Sequence, residues 1–146
     1  MKRPCSPFDQ LHGVIYLPRL LDKIRLNLTG ELPEDYLANL GHPEKMDGLC
    51  LRFLGISYES LCLKIREGAS NEEIWEWILH HGKKHTEEEI HLWNTYMRKY
   101  GWNDRASEIL KRRLREGGYE DRSDIQTIFD YIDLDERREK NCSFTQ

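Results

Sequence analysis

Histidine and glutamate side chains crowd one short stretch of the sequence, and these residue types can bind a transition metal. The stretch contains His80, His81, His85, His91 and the acidic run Glu87, Glu88 and Glu89. The interval from Glu88 to His91 is the Glu-x-x-His spacing of di-iron bundles, which places both side chains on one helix face. The sequence has no second copy of this motif, and Gly82 interrupts the helix before His85. We therefore predict no metal cofactor; His85, Glu88 and His91 are the candidate ligands of the alternative hypothesis.

The sequence lacks the signatures of nucleophilic catalysis and of phosphate binding. It has neither a Gly-x-Ser-x-Gly elbow nor a glycine-rich loop after a strand. The four cysteines, Cys5, Cys50, Cys62 and Cys142, have neither the spacing of a metal site nor the density of a disulfide scaffold, so we expect free thiols. A binding role is favoured over catalysis, although helical enzymes can assemble a site from scattered residues.

A basic segment lies in the second half of a chain whose net charge is -4. It comprises Arg98, Lys99, Arg105, Lys111, Arg112, Arg113 and Arg115. Arg112 and Arg115 share one outer helix face, where an acidic partner could dock, but no recognition-helix pattern predicts nucleic acid as that partner. Trp75 lies beside the apolar face of its helix and is expected to line a groove. The candidate binding surface is Trp75, Lys111, Arg112 and Arg115.

Four acids gather near the end of the last helix. They are Asp130, Asp133, Asp135 and Glu136. The helix dipole disfavours negative charge there, so a compensating cation is expected. The cluster lacks the central glycine and the twelve-residue spacing of an EF-hand. We predict that it forms an intramolecular salt bridge with an arginine.

The helices that must position these residues are indicated by their ends. Two segments start with a capping box, in which a hydroxyl and a glutamate three residues later satisfy each other's backbone N–H: Ser70 with Glu73, and Thr86 with Glu89. Further helix starts are predicted at Asp47, Ser57, Asn103 and Ser123, the last as a box with Gln126. Helix ends are predicted at Gly30, Gly55, Gly68, Gly82, Gly101 and Gly117–Gly118.

Three segments are ambiguous. Apolar residues from Val14 to Leu28 recur with helical spacing, but Pro18 requires a kink or a helix that begins there, and we prefer the helix start. Leu49–Leu54 alternates as a strand would, yet its helical neighbours favour a helix. Residues 31–47 are predicted as a loop with at most one helical turn, in which a site could be completed.

The whole pattern predicts an all-α fold of six or seven short antiparallel helices in one domain spanning residues 1–146, ordered from about 8 to 136 with frayed termini. The expected core is Leu21, Leu54, Leu61, Ile74, Trp77, Ile90, Trp93, Met97, Ile109, Leu114, Ile128 and Phe129. No apolar run has membrane-spanning length and no signal peptide precedes the domain, so we expect a cytoplasmic protein without membrane contact.

Four blocks of sequence carry a resemblance to a known family. They are residues 16–26 (YLPRLLDKIRL), 50–56 (CLRFLGI), 93–104 (WNTYMRKYGWND) and 124–133 (DIQTIFDYID). Together they resemble the bacterial family named domain of unknown function 5069, over about residues 6–136. The resemblance implies a stand-alone bacterial protein of this size, but no activity or cofactor. The polar residues of these blocks that would form a shared site are Arg19, Asp22, Arg52, Asn94, Asp130 and Asp133.

The sequence therefore favours a small cytoplasmic helical binding module, with a protein or small-molecule partner, no cofactor and the option of a homodimer. The alternative is a small enzyme or metal-dependent protein that uses the His80–His91 region.

Overall fold

In the computed structural model, which describes residues 2–137, the chain folds as a mostly helical single domain. Its elements are the strands β1 (Gln10–Leu11) and β2 (Val14–Ile15) and the helices α1 (Leu17–Leu28), α2 (Met46–Leu54), α3 (Tyr58–Arg66), α4 (Asn71–His81), α5 (Glu87–Lys99), α6 (Ser107–Glu116) and α7 (Ile128–Asp135). The predicted helical class and the number of helices are confirmed. None of these helices has the length and apolar character needed to cross a membrane.

A hairpin that the sequence pattern did not reveal precedes α1. Its strands pair antiparallel, with Leu11 opposite Val14, and the turn residues His12 and Gly13 both have positive φ, as a tight hairpin turn requires. Val14, predicted on a helix face, therefore lies in a strand. Pro18 occupies the first turn of α1, so the predicted helix start there is confirmed.

The strongest helix starts are confirmed in full. Ser70 and Thr86 each form both hydrogen bonds of a capping box, and Ser57 caps α3 by accepting from the backbone N–H of Ser60. Leu49–Leu54 is helical, in agreement with the preferred reading. The loop of residues 31–47 contains one helical turn, at Glu34–Tyr36.

Three predicted caps are wrong. Asp47 lies inside the first turn of α2 rather than at its start, and its carboxylate bonds to other elements. Asn103 adopts a left-handed conformation four residues before α6, where Asp104 accepts from the N–H of Ala106 instead. The helix predicted from Ser123 begins only at Ile128, because the hydroxyl of Thr127 accepts from the N–H of Asp130 and caps α7.

The core consists of two clusters. The larger one surrounds α1 and contains Val14, Ile15, Tyr16, Leu17, Leu20, Leu21, Ile24, Cys50, Leu51, Leu54, Leu61, Ile65, Ile74, Ile78, Trp93, Met97 and Phe129. The smaller one contains Ala106, Leu110, Leu114, Ile125 and Ile128. Helix α7 contributes to both clusters, through Phe129 and Ile128. The space between the clusters is where the candidate site lies.

Most of the predicted core is confirmed, with corrections at its edge. Trp77, Ile90 and Ile109 are only partly buried, although they pack against the clusters. Leu28, the last residue of the apolar pattern that starts at Val14, is 39% exposed and does not belong to the core. Cys5, Cys50 and Cys62 are free thiols, and Cys142 lies outside the described residues. Of the segment predicted to fray after Glu136, the structure describes only Arg137.

Candidate functional site

Helix α1 buries two cations on the side that faces the loop of residues 31–47 and the end of α7. Arg19 and Lys23 lie four residues apart, so they project from one helix face, and each is only 4% exposed. Burying a charge without a partner is costly, and buried charges are therefore found paired. Each cation here has its own carboxylate, supplied by a different element.

Arg19 pairs with Glu136, which follows the last residue of α7. The guanidinium donates two hydrogen bonds to the carboxylate, at 3.0 and 2.7 Å, and a third at 3.0 Å to the backbone oxygen of Cys5. Burial opposes the charged form, but the hydrogen bonds to Glu136 together with the charge interactions with Glu136, Tyr16 and Tyr36 outweigh it, so the pKa of Arg19 is raised. The predicted salt bridge between the last acidic cluster and an arginine is thus confirmed.

Tyr36, in the helical turn of the loop, completes this pair. Its hydroxyl donates to Glu136 at 2.6 Å, and the Arg19 guanidinium lies 5.8 Å from the centre of its ring. Burial and the bond to Glu136 raise the pKa of Tyr36 to about 12. The phenol is therefore a neutral hydrogen-bond donor at physiological pH.

Lys23 pairs with Asp47 in the first turn of α2. The ammonium lies 3.0 and 2.9 Å from the two carboxylate oxygens, which also accept from the Tyr16 hydroxyl at 2.6 Å and the Gly41 N–H at 2.9 Å. The N-terminal end of a helix favours a carboxylate at this place. Burial lowers the pKa of Lys23 against the opposing effect of Asp47, and burial raises that of Tyr16.

Tyr16 holds a backbone conformation that non-glycine residues seldom adopt. Its φ is 77°, in the left-handed region, at a cost on the order of 1–3 kcal/mol. The surroundings fix it there: the hydroxyl bonds to Asp47, the backbone N–H donates to the oxygen of Asp9 at 3.1 Å, and the ring stacks on Phe129 at 5.9 Å. Such strain is concentrated at functional sites, and Tyr16 also lines the cavity described below, so it is a candidate site residue.

These two ion pairs form the inner wall of a cavity of about 170 Å³ between the two core clusters. Its charged lining comprises Arg19, Lys23, Asp35, Glu44, Lys45, Asp47, Arg113, Asp135 and Glu136. Its aromatic and apolar lining includes Tyr16, Tyr36, Met46, Tyr100, Ala106, Ile109, Ile128, Tyr131 and Ile132. A cavity of about 150 Å³ admits a molecule the size of benzene, so this one suits a small ligand.

The structure brings one of the six polar candidates to the cavity wall. That residue is Arg19. The others bond elsewhere: Asp22 accepts from the Cys5 N–H, Arg52 donates to the Pro43 oxygen, Asn94 ties β2 to α5, Asp130 accepts from the Gln126 N–H, and Asp133 accepts from the Ser6 hydroxyl. Asp22 and Asp133 both hold the segment of Cys5 and Ser6, which Arg19 also contacts, whereas Arg52, Asn94 and Asp130 bond to other segments.

The histidine and glutamate region does not converge on one point. His85 bonds through Nε2 to the Phe53 oxygen and stacks on the Phe53 ring at 3.9 Å, while Glu88 and His91 are exposed on α5. Within residues 2–137, no three histidine, cysteine or acidic side chains are placed to hold a metal ion together.

The residues of the candidate binding surface predicted from the sequence lie outside the cavity. Trp75 stacks on His12 at 5.1 Å, and Lys111 and Arg112 lie 3.4 and 3.5 Å from the acids Glu108 and Glu116 of their own helix. Arg115 is exposed, and none of the four lines the cavity.

Sequence reasoning missed Tyr16, Lys23, Tyr36 and Asp47 as site residues. Tyr16, Arg19 and Lys23 recur at intervals of three and four, which is the signal of one helix face. The apolar residues of the same helix give a stronger helical periodicity, which masks the spacing of these polar residues.

Comparison with known proteins identifies the family. A search of the curated proteins found no match to this chain. The model of the family described as Domain of unknown function (DUF5069) matches residues 1–138, which is nearly the whole sequence. The protein therefore belongs to the DUF5069 family.

Proposed function

We propose that the protein binds a small polar molecule in the cavity between α1, α2, α6 and α7. The observation that carries this proposal is the inner wall, where two buried ion pairs and two tyrosines from four segments meet at a cavity of ligand size. Ligand sites are typically concave and partly apolar, with a few fixed polar groups that set orientation.

The inner wall is suited to recognition because its charges are already oriented. Each cation of the wall is held by a carboxylate, and that carboxylate also accepts a hydrogen bond from a tyrosine hydroxyl. Groups held in this way need little reordering when a ligand arrives, so little of the binding free energy is lost. The resulting wall offers both hydrogen-bond donors and acceptors.

The surfaces that could take a macromolecule have weaker support. The charges of Lys111 and Arg112 are partly matched by acids on their own helix, and the Trp75 ring is already covered by His12. A small molecule therefore remains the favoured partner.

A fragment screen by two-dimensional NMR tests the proposal. We expect fragments to shift the amide signals of Gly41 and of the first turn of α2. Ile109→Trp, which fills the cavity from α6, should abolish these shifts, whereas the matched change Leu92→Trp on the exposed side of α5 should leave them unchanged. Thermal unfolding verifies that both variants fold. Hits that survive Ile109→Trp, or a screen with no hits near the cavity, would overturn the proposal.

Catalysis on the bound molecule is the second candidate function, and the strained Tyr16 favours it. The Tyr16 hydroxyl and the Lys23 ammonium share the Asp47 carboxylate, so a proton can be exchanged within this group. NMR of each fragment hit after long incubation would reveal conversion, and Tyr16→Phe should suppress conversion more than binding. Hits recovered unchanged would leave binding as the function.

A further inference from the structure

The charges at the mouth of the cavity are arranged differently from those of its inner wall. The inner cations are each paired, but five charged residues at the mouth form no salt bridge with any residue in the range 2–137. These residues are Asp35, Glu44, Lys45, Arg113 and Asp135. Both signs are present, so the mouth attracts neither simple anions nor simple cations as a class.

Arg113 is the most informative of them. It lies on α6, it is partly buried, and it lines the cavity without an ion-pair partner in the described part of the chain. A partly buried guanidinium loses hydration, and that loss is recovered when a carboxylate or similar anion binds it in a bidentate geometry. Arg113 thus has unused capacity for an anionic group.

Asp135, the last residue of α7, also lines the cavity and provides the opposite charge. It lies four residues after Tyr131, so the two share one face of the helix. Arg113 and Asp135 both act on Tyr131, whose pKa is raised by burial and by Asp135 and is lowered by Arg113. Both charges therefore lie near one phenol and both residues line the cavity, yet no salt bridge within 4.0 Å joins Arg113 to Asp135.

We propose that the ligand is a small zwitterion, whose carboxylate binds Arg113 and whose ammonium group binds Asp135 across the Tyr131 ring. This inference rests on the proposed function of the cavity as a small-molecule site. A ligand with both charges provides a partner for Arg113 and for Asp135 at once, whereas a ligand with one charge leaves one of these two residues without a partner.

The walls behind these charges indicate the rest of the ligand. Tyr100, Ile109, Ile128 and Ile132 offer an apolar surface next to Arg113 and Tyr131 along the cavity. Apolar atoms of a ligand would be removed from water there, which adds to the affinity. The ligand class is therefore an amino acid with an apolar body of a few carbon atoms.

Matched probes separate the contribution of each charge. The zwitterions are L-leucine and 6-aminohexanoate, which differ in the distance between their charges. 3-Methylbutylamine is leucine without its carboxylate, and 4-methylpentanoate is leucine without its ammonium group. In NMR titrations at neutral pH, we expect at least one zwitterion to bind about tenfold or more tightly than both single-charge probes.

Two variants assign the charges to their partners. Arg113→Gln should weaken the zwitterion about tenfold and leave the amine probe unchanged, and Asp135→Asn should weaken the zwitterion and leave the carboxylate probe unchanged. Lys111→Gln and Glu108→Gln, on the outer face of α6, are the matched controls and should alter neither. A merely structural role would weaken all probes alike, so the pattern across probes is the deciding readout.

The outcomes distinguish this inference from the proposed function. If neither zwitterion binds more tightly than the single-charge probes, or if Arg113→Gln leaves the affinity of the zwitterion unchanged, the proposed ligand class is wrong. If no zwitterion binds while other fragments shift the cavity signals, the zwitterion fails and the proposed function stands. If no probe or fragment binds at the cavity, both fail.

Discussion

At the scale of single residues, the buried ion pairs are better explained by specificity than by stability. The attraction within a buried pair roughly offsets the cost of taking both charges out of water, so an apolar pair of the same shape would stabilise the fold as well. An apolar pair would not hold a hydrogen-bonding wall beside a cavity. We therefore expect the two pairs to serve the proposed binding site and to add little net free energy of unfolding.

Removal of one partner of the Arg19 pair should be strongly destabilising. We expect Arg19→Met to lower the free energy of unfolding by about 3–5 kcal/mol, because Glu136 keeps a buried charge without its cation. The double variant Arg19→Met with Glu136→Leu should recover part of this loss. Urea denaturation measures each value.

The exposed pair of Arg122 with Asp124 is the control for this experiment. The two side chains are 44% and 48% exposed, so water screens the pair and Arg122→Met should cost at most about 1 kcal/mol. A similar loss in Arg19→Met and Arg122→Met would contradict the assigned role of burial.

Tyr36 should make the fold sensitive to alkaline pH. Its pKa is about 12 in the folded protein against an ordinary value of 10.0, so between these values the unfolded chain releases the phenolic proton and the folded protein keeps it. The stabilising contribution of Tyr36 is therefore complete below pH 10 and is lost as the pH rises toward 12. The stability advantage of the native chain over Tyr36→Phe should shrink across this window.

The difference between the two proteins is the quantity to measure, by urea denaturation at a series of pH values. Tyr16, with a raised pKa, and Lys23, with a lowered one, also titrate in the alkaline range, with opposite effects on stability, but they are common to both proteins. A difference that stays constant from pH 9 to pH 12 would contradict the raised pKa of Tyr36.

The sequence predicted single site residues poorly because their partners are distant along the chain. Lys23 and Asp47 are separated by 24 positions, and Arg19 and Glu136 by 117. No spacing rule connects residues so far apart. The resemblance to the family selected Arg19, and the dipole argument selected the acids near Glu136, but only the fold could join the two.

At the scale of secondary structure elements, the success of a prediction depended on whether the deciding contacts were local. The boxes at Ser70 and Thr86 are closed by side chains three residues away, so the sequence contained all the information. The start of α7 was misplaced because Ser123 and Thr127 are both able to cap. The contact that separates them is distant: the N–H of Ile128 donates to the Tyr100 oxygen, which fixes where α7 begins.

Gly48 couples α2 to the loop that borders the cavity. It lies inside α2, where alanine would ordinarily stabilise the helix by roughly 1 kcal/mol. Here a Cβ would lie 2.5 Å from the His42 oxygen and would also clash with the Pro43 oxygen, both of them backbone atoms. We therefore expect Gly48→Ala to destabilise the protein and to weaken ligand binding, since the displaced loop carries Glu44 and Lys45.

Gly68→Ala is the matched control for Gly48→Ala. Gly68 has a φ of 88° and open space around it, so alanine strains the backbone there without moving a neighbour. It should cost roughly 1–2 kcal/mol and leave fragment binding unchanged. A Gly48→Ala protein more stable than the native chain in urea would show that the loop yields freely.

At the scale of the whole molecule, the division of the core explains why a cavity exists. The larger cluster closes around α1, and α6 with the start of α7 packs as a separate group against its side. Polar groups line much of the boundary between the two clusters. Arg19, Lys23, Asp47 and Glu136 occupy positions there that apolar residues would otherwise fill. The helical class could be predicted from the sequence, but the boundary between the clusters could not, because it depends on packing between distant segments.

The two clusters should differ in local stability, and α6 should open before α1. The smaller cluster has five buried residues and the larger has seventeen, so opening α6 exposes far less apolar surface than opening α1. In native-state hydrogen exchange, amides of Leu110 and Leu114 should show lower opening free energies than those of Leu20 and Ile24. A ligand in the cavity contacts both clusters and should protect α6 more than α1, because only the closed form binds it. Equal protection of the two helices, with or without ligand, would mean that the core unfolds as one unit.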